Sequence, residues 1–139
     1  MGRNKEGIKK RVGKLEQKVC LDTDAVISIL NNESRSISLI NAIEDCEVHI
    51  TTINLFELLL RKTNLEEIEI FRKKTQLLDF EENASREASS VFKELKKKGK
   101  LIEFRDIFIA SICIANNCTL ATFNKKHFEN IKSLNLLEI

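Results

Sequence analysis

The chain has 139 residues, of which 42% are hydrophobic and 32% charged, and its formal net charge is +2. This length and composition are typical of one globular domain and exclude a disordered chain. No apolar run approaches the roughly 20 residues that a membrane-spanning helix needs. The basic N-terminus lacks the apolar stretch of a secretory signal, so we expect a cytoplasmic protein without a membrane anchor.

The first segment, residues 1–17, is predicted to be a basic extension that precedes the folded domain at 18–139. Residues 1–18 hold seven Lys or Arg and two Glu, a net charge of +5. Ile8, Val12 and Leu15 have helical spacing, although two glycines weaken a helix here. Such a leader is either a solvated tail or an arm that contacts phosphates.

The first half of the domain alternates between strands and helices. KVCLD (18–22) has the character of a short buried strand, and 25–32 forms an amphipathic helix. A second helix is predicted over 34–46, with Ile37 and Ile40 in its apolar stripe and Leu39 and Ile43 as further candidates. The β-branched segment EVHITT (47–52) predicts a strand. Further elements are predicted as helices at 53–62 and 65–74 and a strand at 76–80.

The second half continues the alternation. The segment 83–100 contains strong helix formers and ends in three lysines before Gly99, as expected of a helix C-terminus. The segment 102–117 is apolar nearly all round, which predicts a central, buried helix. It is followed by a predicted strand at 119–123, a short helix at 125–131 and a candidate edge strand at 134–139.

This order of elements predicts parallel strand pairing in an α/β sandwich. In such folds, ligands bind beyond the carboxyl ends of the strands, near the point where the strand order reverses. Four polar residues stand just after a strand or early in a helix, where their side chains can meet in one crevice. These residues are Asp22, Glu57, Asp106 and Asn124.

Each acid also has a structural explanation that the sequence leaves open. Asp22 or Asp24 can cap the following helix, and Glu57 can be a solvated helix residue, although Phe56 and three leucines surround it. Asp106 heads the apolar run IFIASICIA, where an unpaired charge costs several kcal/mol. The start of a helix offsets only about 0.3–1 kcal/mol of that cost. A metal ion or cationic partner would supply the rest.

Converging carboxylates favour a hard divalent cation, Mg²⁺ or Mn²⁺, and hence metal-assisted hydrolysis of a phosphodiester. Zinc is not expected, because only two histidines are present and the four cysteines form no C-x-x-C pair. Those cysteines lie in or beside apolar segments and are predicted to be reduced, buried thiols.

The ordered motifs resemble those of PIN-domain ribonucleases of the VapC toxin type over residues 19–139. The matching blocks are LDTD, TTINLFELL and the C-terminal stretch beginning KGKLIEFRDIFIA. The resemblance implies a PIN-like three-layer α/β/α sandwich around a mainly parallel sheet of four to five strands. It also implies that Asp22, Glu57 and Asp106 hold Mg²⁺ or Mn²⁺. The cation would orient a water for in-line attack on RNA, leaving a 5′-phosphate and a 3′-hydroxyl.

Two positions depart from the family pattern. Asn124 stands where many PIN domains have a fourth Asp, and His127 stands where an Asp is frequent, so a second metal site is in question. Asp24 adds to the acidic pocket or hydrogen-bonds near Asp22. Cations near the crevice that would accommodate RNA are Arg61, Lys62, Lys125, Lys126 and the basic leader. Each of these lysines can instead be a solvated surface charge.

The resemblance further implies an antitoxin partner and a homodimer, with the helices at 34–46 and 65–74 as candidate contact surfaces. Two alternatives compete with a nuclease. A non-catalytic PIN-type module for RNA binding or assembly would explain Asn124 and His127. A receiver-type signalling domain is disfavoured, because no acceptor Asp follows the second strand at TTIN.

Overall fold

The computed structural model describes residues 17–139, and the leader predicted at 1–17 lies outside this range except for Gln17. Four parallel strands form one sheet in the order β3-β2-β1-β4. They are β1 (Lys18–Leu21), β2 (Glu47–Thr51), β3 (Gln76–Leu78) and β4 (Thr119–Ala121). The chain moves from β1 outward to β3 and then returns to the other side of β1. The strand order therefore reverses between β1 and β4, and the carboxyl ends of these two strands flank the place where such folds bind ligands.

Seven helices connect and cover the strands in the part of the chain that the structure describes. They pack in two layers, one on each face of the sheet. The helices are α1 (Thr23–Leu30), α2 (Ser36–Ile43), α3 (Thr52–Leu59), α4 (Leu65–Lys74), α5 (Glu82–Lys98), α6 (Phe104–Ala115) and α7 (Lys125–Phe128).

The central strand β1 shows why the core has two halves. Val19 and Leu21 point into a cluster formed with α1 to α4, whereas Cys20 points into a cluster formed with α5, α6 and α7. All three side chains are fully buried. Successive strand residues face opposite sides, so an apolar run such as VCL is stable only when helices cover both faces. The predicted α/β/α sandwich is confirmed.

Helix α6 is buried, as predicted. Ile107, Ile109 and the run from Ala110 to Cys113 are buried. Its neighbour α5 ends at Gly99, whose φ of 69° is left-handed and favours glycine. The cation-rich end and glycine stop predicted from the sequence are therefore present.

Several predicted elements need correction. The segment 134–139 is not a strand; it contributes only a bridge between Leu136 and Leu120, so the sheet has four strands among residues 17–139. In α2 the buried apolar residue is Leu39, whereas Ile37 and Ile40 are 62% and 44% exposed. The helix packs against the core through the face that carries Leu39, and its other face is left outside. Cys46 is only partly buried, unlike the other three cysteines.

No helix in residues 17–139 is long and apolar enough to cross a bilayer.

Candidate active site

Asp22 occupies the junction between β1 and α1. One carboxylate oxygen, Oδ1, accepts the backbone N–H of Thr23 at 2.9 Å, and this contact caps α1. The other oxygen, Oδ2, accepts the hydroxyl of Thr122 at 2.9 Å. Thr122 follows β4, and the backbone N–H of Asp22 also donates to Ala121 at 3.0 Å. Asp22 is thus an N-cap, as the structural explanation held, and it is also fixed at the point where the strand order reverses.

Glu57 reaches the same region from α3. Its Oε1 accepts the hydroxyl of Thr23 at 2.5 Å, and its Oε2 lies 3.5 Å from Nη1 of Arg105. The side chain is 20% exposed. Thr23 in turn accepts an N–H from the side-chain amide of Asn54 at 3.0 Å. The glutamate is therefore oriented by a chain of donors and is not a freely solvated helix residue.

Asp106 lies in the first turn of α6, where the helix dipole favours a negative charge. Its Oδ2 is 2.8 Å from Nε2 of His127, which belongs to α7. The carboxylate is about a quarter exposed. An acid at this position needs a cationic or hydrogen-bonding partner, and His127 is such a partner.

These elements enclose a cavity of about 220 Å³, which we call the acid cavity. The predicted residues Asp22, Asp24, Glu57, Asp106 and Asn124 all line it. Lys125 and Lys126 line a neighbouring cavity instead. Arg61 and Lys62 line neither of the two; both follow the end of α3 at Leu59, and Leu60 is the neighbour that lines the acid cavity. The acid cavity is completed by Thr23, Leu60, Arg105, His127 and Phe128.

The electrostatics of the acid cavity disfavour a charged Asp22. Burial raises the pKa of this carboxyl from 3.8 to about 6, and the negative charges of Asp106 and Asp24 add to the increase. The hydrogen bonds from Thr122 and Thr23 oppose it. A carboxylate that is hard to ionise beside two further acids is stabilised by any cation that enters the cavity.

The donors available are carboxylate oxygens and one amide, the hard ligands that suit Mg²⁺ or Mn²⁺. Within residues 17–139, however, no three His, Cys, Asp or Glu side chains already converge as a closed metal-binding group. The reason is visible in their contacts: Asp106 faces His127, and Glu57 faces Thr23 and Arg105. The oxygen donors of the acid cavity suit a divalent cation. A cation bound to Asp106 and Glu57 would displace or share their contacts with His127, Thr23 and Arg105.

Asp22 should also make the metal-free protein less stable as the pH rises. Its folded pKa of about 6 lies above the unfolded value of 3.8, so the folded state holds a proton that the unfolded state has lost. The stabilisation is complete below pH 4 and is lost as the pH rises through 6. We expect the free energy of unfolding in EDTA to fall by about 2 kcal/mol from this group.

Urea unfolding of the protein and of Asp22→Asn between pH 4 and pH 7.5 measures this effect. The difference in stability between the two should grow in favour of the variant as the pH rises. A difference that is independent of pH would show that Asp22 ionises normally.

The sequence did not single out Thr23, Asn54 or Arg105 as site residues. Asn54 carried a detectable signal, because it stands three residues after Thr51 and completes a capping box at the start of α3. Thr23 lies between the two aspartates of LDTD, and Arg105 directly precedes Asp106. Neither position has a local pattern that reveals its contact, since both reach Glu57 across the fold.

Comparison with known proteins agrees with this architecture. The profile of the PIN domain family matches residues 19–134. Ribonuclease VapC1 of Methanocaldococcus jannaschii is 30% identical over 135 residues, covering 93% of this chain and 92% of that protein. Ribonuclease VapC3 of the same organism is 36% identical over 93 residues, which cover 66% of this chain and 94% of that protein.

Solved structures give the same result. A chain in the crystal structure of VapBC2 from Rickettsia felis, bound to a DNA fragment from its promoter, superposes with a TM-score of 0.76. It is 27% identical, and the match covers 86% of this chain and 97% of that one. A chain of DNA-bound VapBC from Salmonella typhimurium has a TM-score of 0.75 at 25% identity, covering 86% and 96%. The chain therefore belongs to the PIN domain family, in the branch that contains the VapC proteins.

Proposed function

We propose that this protein is a Mg²⁺- or Mn²⁺-dependent endoribonuclease that hydrolyses RNA phosphodiester bonds in the cytoplasm, and that it is the toxin of a toxin–antitoxin pair. The observation that carries the proposal is the meeting of Asp22, Glu57 and Asp106 in one cavity. These residues come from three elements separated by 35 and 49 positions, and they meet where the strand order reverses. The ribonuclease names of the relatives support the choice of substrate.

In this proposal Asp22 and Asp106 hold the cation, and Glu57 joins them directly or through a water. The bound cation supplies a nucleophilic water and neutralises charge on the phosphate. Thr23 and Thr122 fix the two oxygens of Asp22, so its orientation does not depend on the cation. Asn124 lines the same cavity and offers a neutral oxygen or N–H in place of a fourth charge.

Arg105 is suited to receive the RNA phosphate. Its side chain is 45% exposed, and its 3.5 Å contact with Glu57 is long for an ion pair. A guanidinium held loosely at the opening of the acid cavity can exchange this carboxylate for a phosphate oxygen at small cost. That exchange would also free Glu57 to face the cation.

An antitoxin and a second copy of the chain are the proposed protein partners. The structural relatives from Rickettsia felis and Salmonella typhimurium are VapBC proteins. The two helices predicted as contact surfaces expose apolar side chains: Ile37 and Ile40 in α2, and Leu65 and Ile70 in α4. Apolar residues exposed on neighbouring turns are typical of surfaces that a partner covers.

The proposal predicts that RNA cleavage requires a divalent cation. The purified full chain should cut single-stranded RNA with Mg²⁺ or Mn²⁺ and be inactive in EDTA, because the acids alone repel the phosphate. Gel analysis of end-labelled RNA measures the cleavage, and treatment with a phosphatase identifies the expected 5′-phosphate. Restoring Mg²⁺ after EDTA should restore the activity, which separates loss of the cation from damage to the protein.

A non-catalytic RNA-binding module remains the second candidate, because Asn124 and His127 replace acids of the family pattern. RNA binding without cleavage in the presence of Mg²⁺, Mn²⁺ and other divalent ions would favour that function and contradict ours.

A further inference from the structure

A second cavity of about 350 Å³ adjoins the acid cavity, and we call it the flanking cavity. The two share Asn124. Thr122 lines the flanking cavity, and its hydroxyl donates to Asp22 and accepts the backbone N–H of Asn124 at 3.0 Å. The flanking cavity is lined by Thr122, Phe123, Asn124, Lys125, Lys126 and Ile139. A polymer that crosses the acid cavity can continue into it without leaving the surface.

Arg35 lies over the ring of Phe123, which is one of the residues that line the flanking cavity. Phe123 is half-buried and packs against the core, and the guanidinium carbon of Arg35 lies 4.4 Å from the centre of its ring. Nε of Arg35 donates to Glu33 at 2.8 Å, which fixes the guanidinium plane. The Arg35 side chain is nevertheless 49% exposed. A guanidinium stacked on an aromatic ring presents a flat surface on which a nucleobase stacks favourably.

Two lysines also line the flanking cavity. Lys125 lies 3.8 Å from Glu138, but that glutamate is 99% exposed, so the pair is weak. Lys126 is exposed, and no carboxylate within residues 17–139 pairs with it. The two lysines that line the flanking cavity are cations, whereas the carboxylates of Asp22, Asp24, Glu57 and Asp106 dominate the acid cavity. A phosphate next to the reacting one is therefore favoured in the flanking cavity.

We infer that the flanking cavity binds the nucleotide adjacent to the scissile phosphate. Lys125 and Lys126 contact its phosphate, and its base stacks on the Arg35 guanidinium that Phe123 supports. This inference rests on the proposed ribonuclease function, which it deepens by assigning a substrate subsite. Stacking discriminates little between bases. The subsite therefore increases the affinity for RNA and orients the strand, but it adds little sequence selectivity.

Binding of a short, fluorescein-labelled single-stranded RNA of mixed sequence tests the subsite. Fluorescence anisotropy is measured on the full chain carrying Asp106→Asn, so that the RNA stays intact, at several salt concentrations. Adding Lys125→Gln and Lys126→Gln should weaken binding and make the negative slope of log K against log salt shallower, by roughly 0.7 for each lysine that contacts a phosphate. Adding Arg35→Lys instead should weaken binding about tenfold and leave the slope unchanged, because the charge is kept and the stacking plane is lost.

Two lysines at the opposite edge of the sheet provide the matched control. Lys73 and Lys74 are exposed at the end of α4, just before the first residue of β3. Replacing both with Gln changes the net charge by the same amount and should leave the RNA affinity nearly unchanged. Thermal unfolding of every variant checks that the fold is kept.

The outcomes separate this inference from the function on which it rests. If the wild-type chain cleaves RNA but the flanking-cavity variants bind it as tightly as the Asp106→Asn background, the subsite is wrong and the nuclease stands. Equal losses in the flanking-cavity and control lysine pairs would likewise overturn the subsite, because only total charge would matter. If the wild-type chain neither cleaves nor binds RNA, both proposals fail.

Discussion

Replacing Asp106 with Asn should reduce Mg²⁺-dependent RNA cleavage at least about a hundredfold, because the cation then loses a charged ligand. Asp22→Asn should have a similar effect, since it removes the other proposed charged ligand. Both changes keep the size of the side chain, and they replace one acceptor oxygen with an N–H donor group. At Asp106 the expected loss of helix stability is only about 0.3–1 kcal/mol, from the missing charge at the start of α6. The measurement is the initial rate of cleavage of a labelled RNA at saturating Mg²⁺.

The matched control is Asp45→Asn, which makes the same chemical change in the turn before β2, at the opposite edge of the sheet. Its cleavage rate should be that of the wild type. Circular dichroism and thermal unfolding establish that each variant is folded. Normal cleavage by both Asp22→Asn and Asp106→Asn would remove the basis for the nuclease assignment. An equal loss in Asp45→Asn would attribute the effect to stability.

The meeting of the acids could be predicted from the sequence because it depends on topology. Asp22 follows a strand whose residues are apolar on both faces, and Asp106 lies in the first turn of the buried helix α6. Parallel strands place their carboxyl ends at one edge, so residues that follow them converge whatever the details of packing. The family motifs lie in these same segments, and the matched profile spans residues 19–134.

The contacts between those acids and their neighbours could not be predicted in the same way. Arg105 reaches Glu57, and His127 reaches Asp106, through side-chain geometry that no local pattern encodes. The position of Lys125 and Lys126 shows the same limit. Their proximity to the acids was expected, but they line the flanking cavity instead of the acid cavity.

The wrong prediction that Ile37 and Ile40 form the buried stripe of α2 has a different origin. Several of its apolar residues have helical spacing, so more than one face could be the buried one. Packing selects the face that carries Leu39 and leaves Ile37 and Ile40 exposed. The periodicity of a short, very apolar helix therefore predicts the helix but not its orientation. The apolar side chains left outside are the ones that we assign to partner contacts.

Thr23, Asn54 and Arg105 were not predicted as site residues. Of these three, Asn54 is the one whose replacement should most affect both stability and activity. Its side-chain oxygen accepts the backbone N–H of Thr51 at 2.9 Å and the Thr51 hydroxyl at 2.7 Å. Its amide donates to Thr23, which donates to Glu57. Asn54 is fully buried, so water does not replace these partners without cost.

We expect Asn54→Ala to lower the free energy of unfolding by about 3 kcal/mol, because it removes a capping box and leaves the buried Thr51 N–H without its partner. Urea unfolding at neutral pH measures this loss. At a temperature where the variant remains folded, its cleavage rate should also fall about tenfold, because Thr23 then holds Glu57 less firmly.

Thr23→Val separates the two effects of Asn54. It keeps the capping box between Thr51 and Asn54 and removes only the hydroxyl that links Asn54 to Glu57. We therefore expect most of the stability to be retained while the cleavage rate falls as in Asn54→Ala. If Thr23→Val cleaves RNA normally, the hydrogen-bonded chain from Asn54 to Glu57 supports the start of α3 and does not position the proposed metal-binding glutamate.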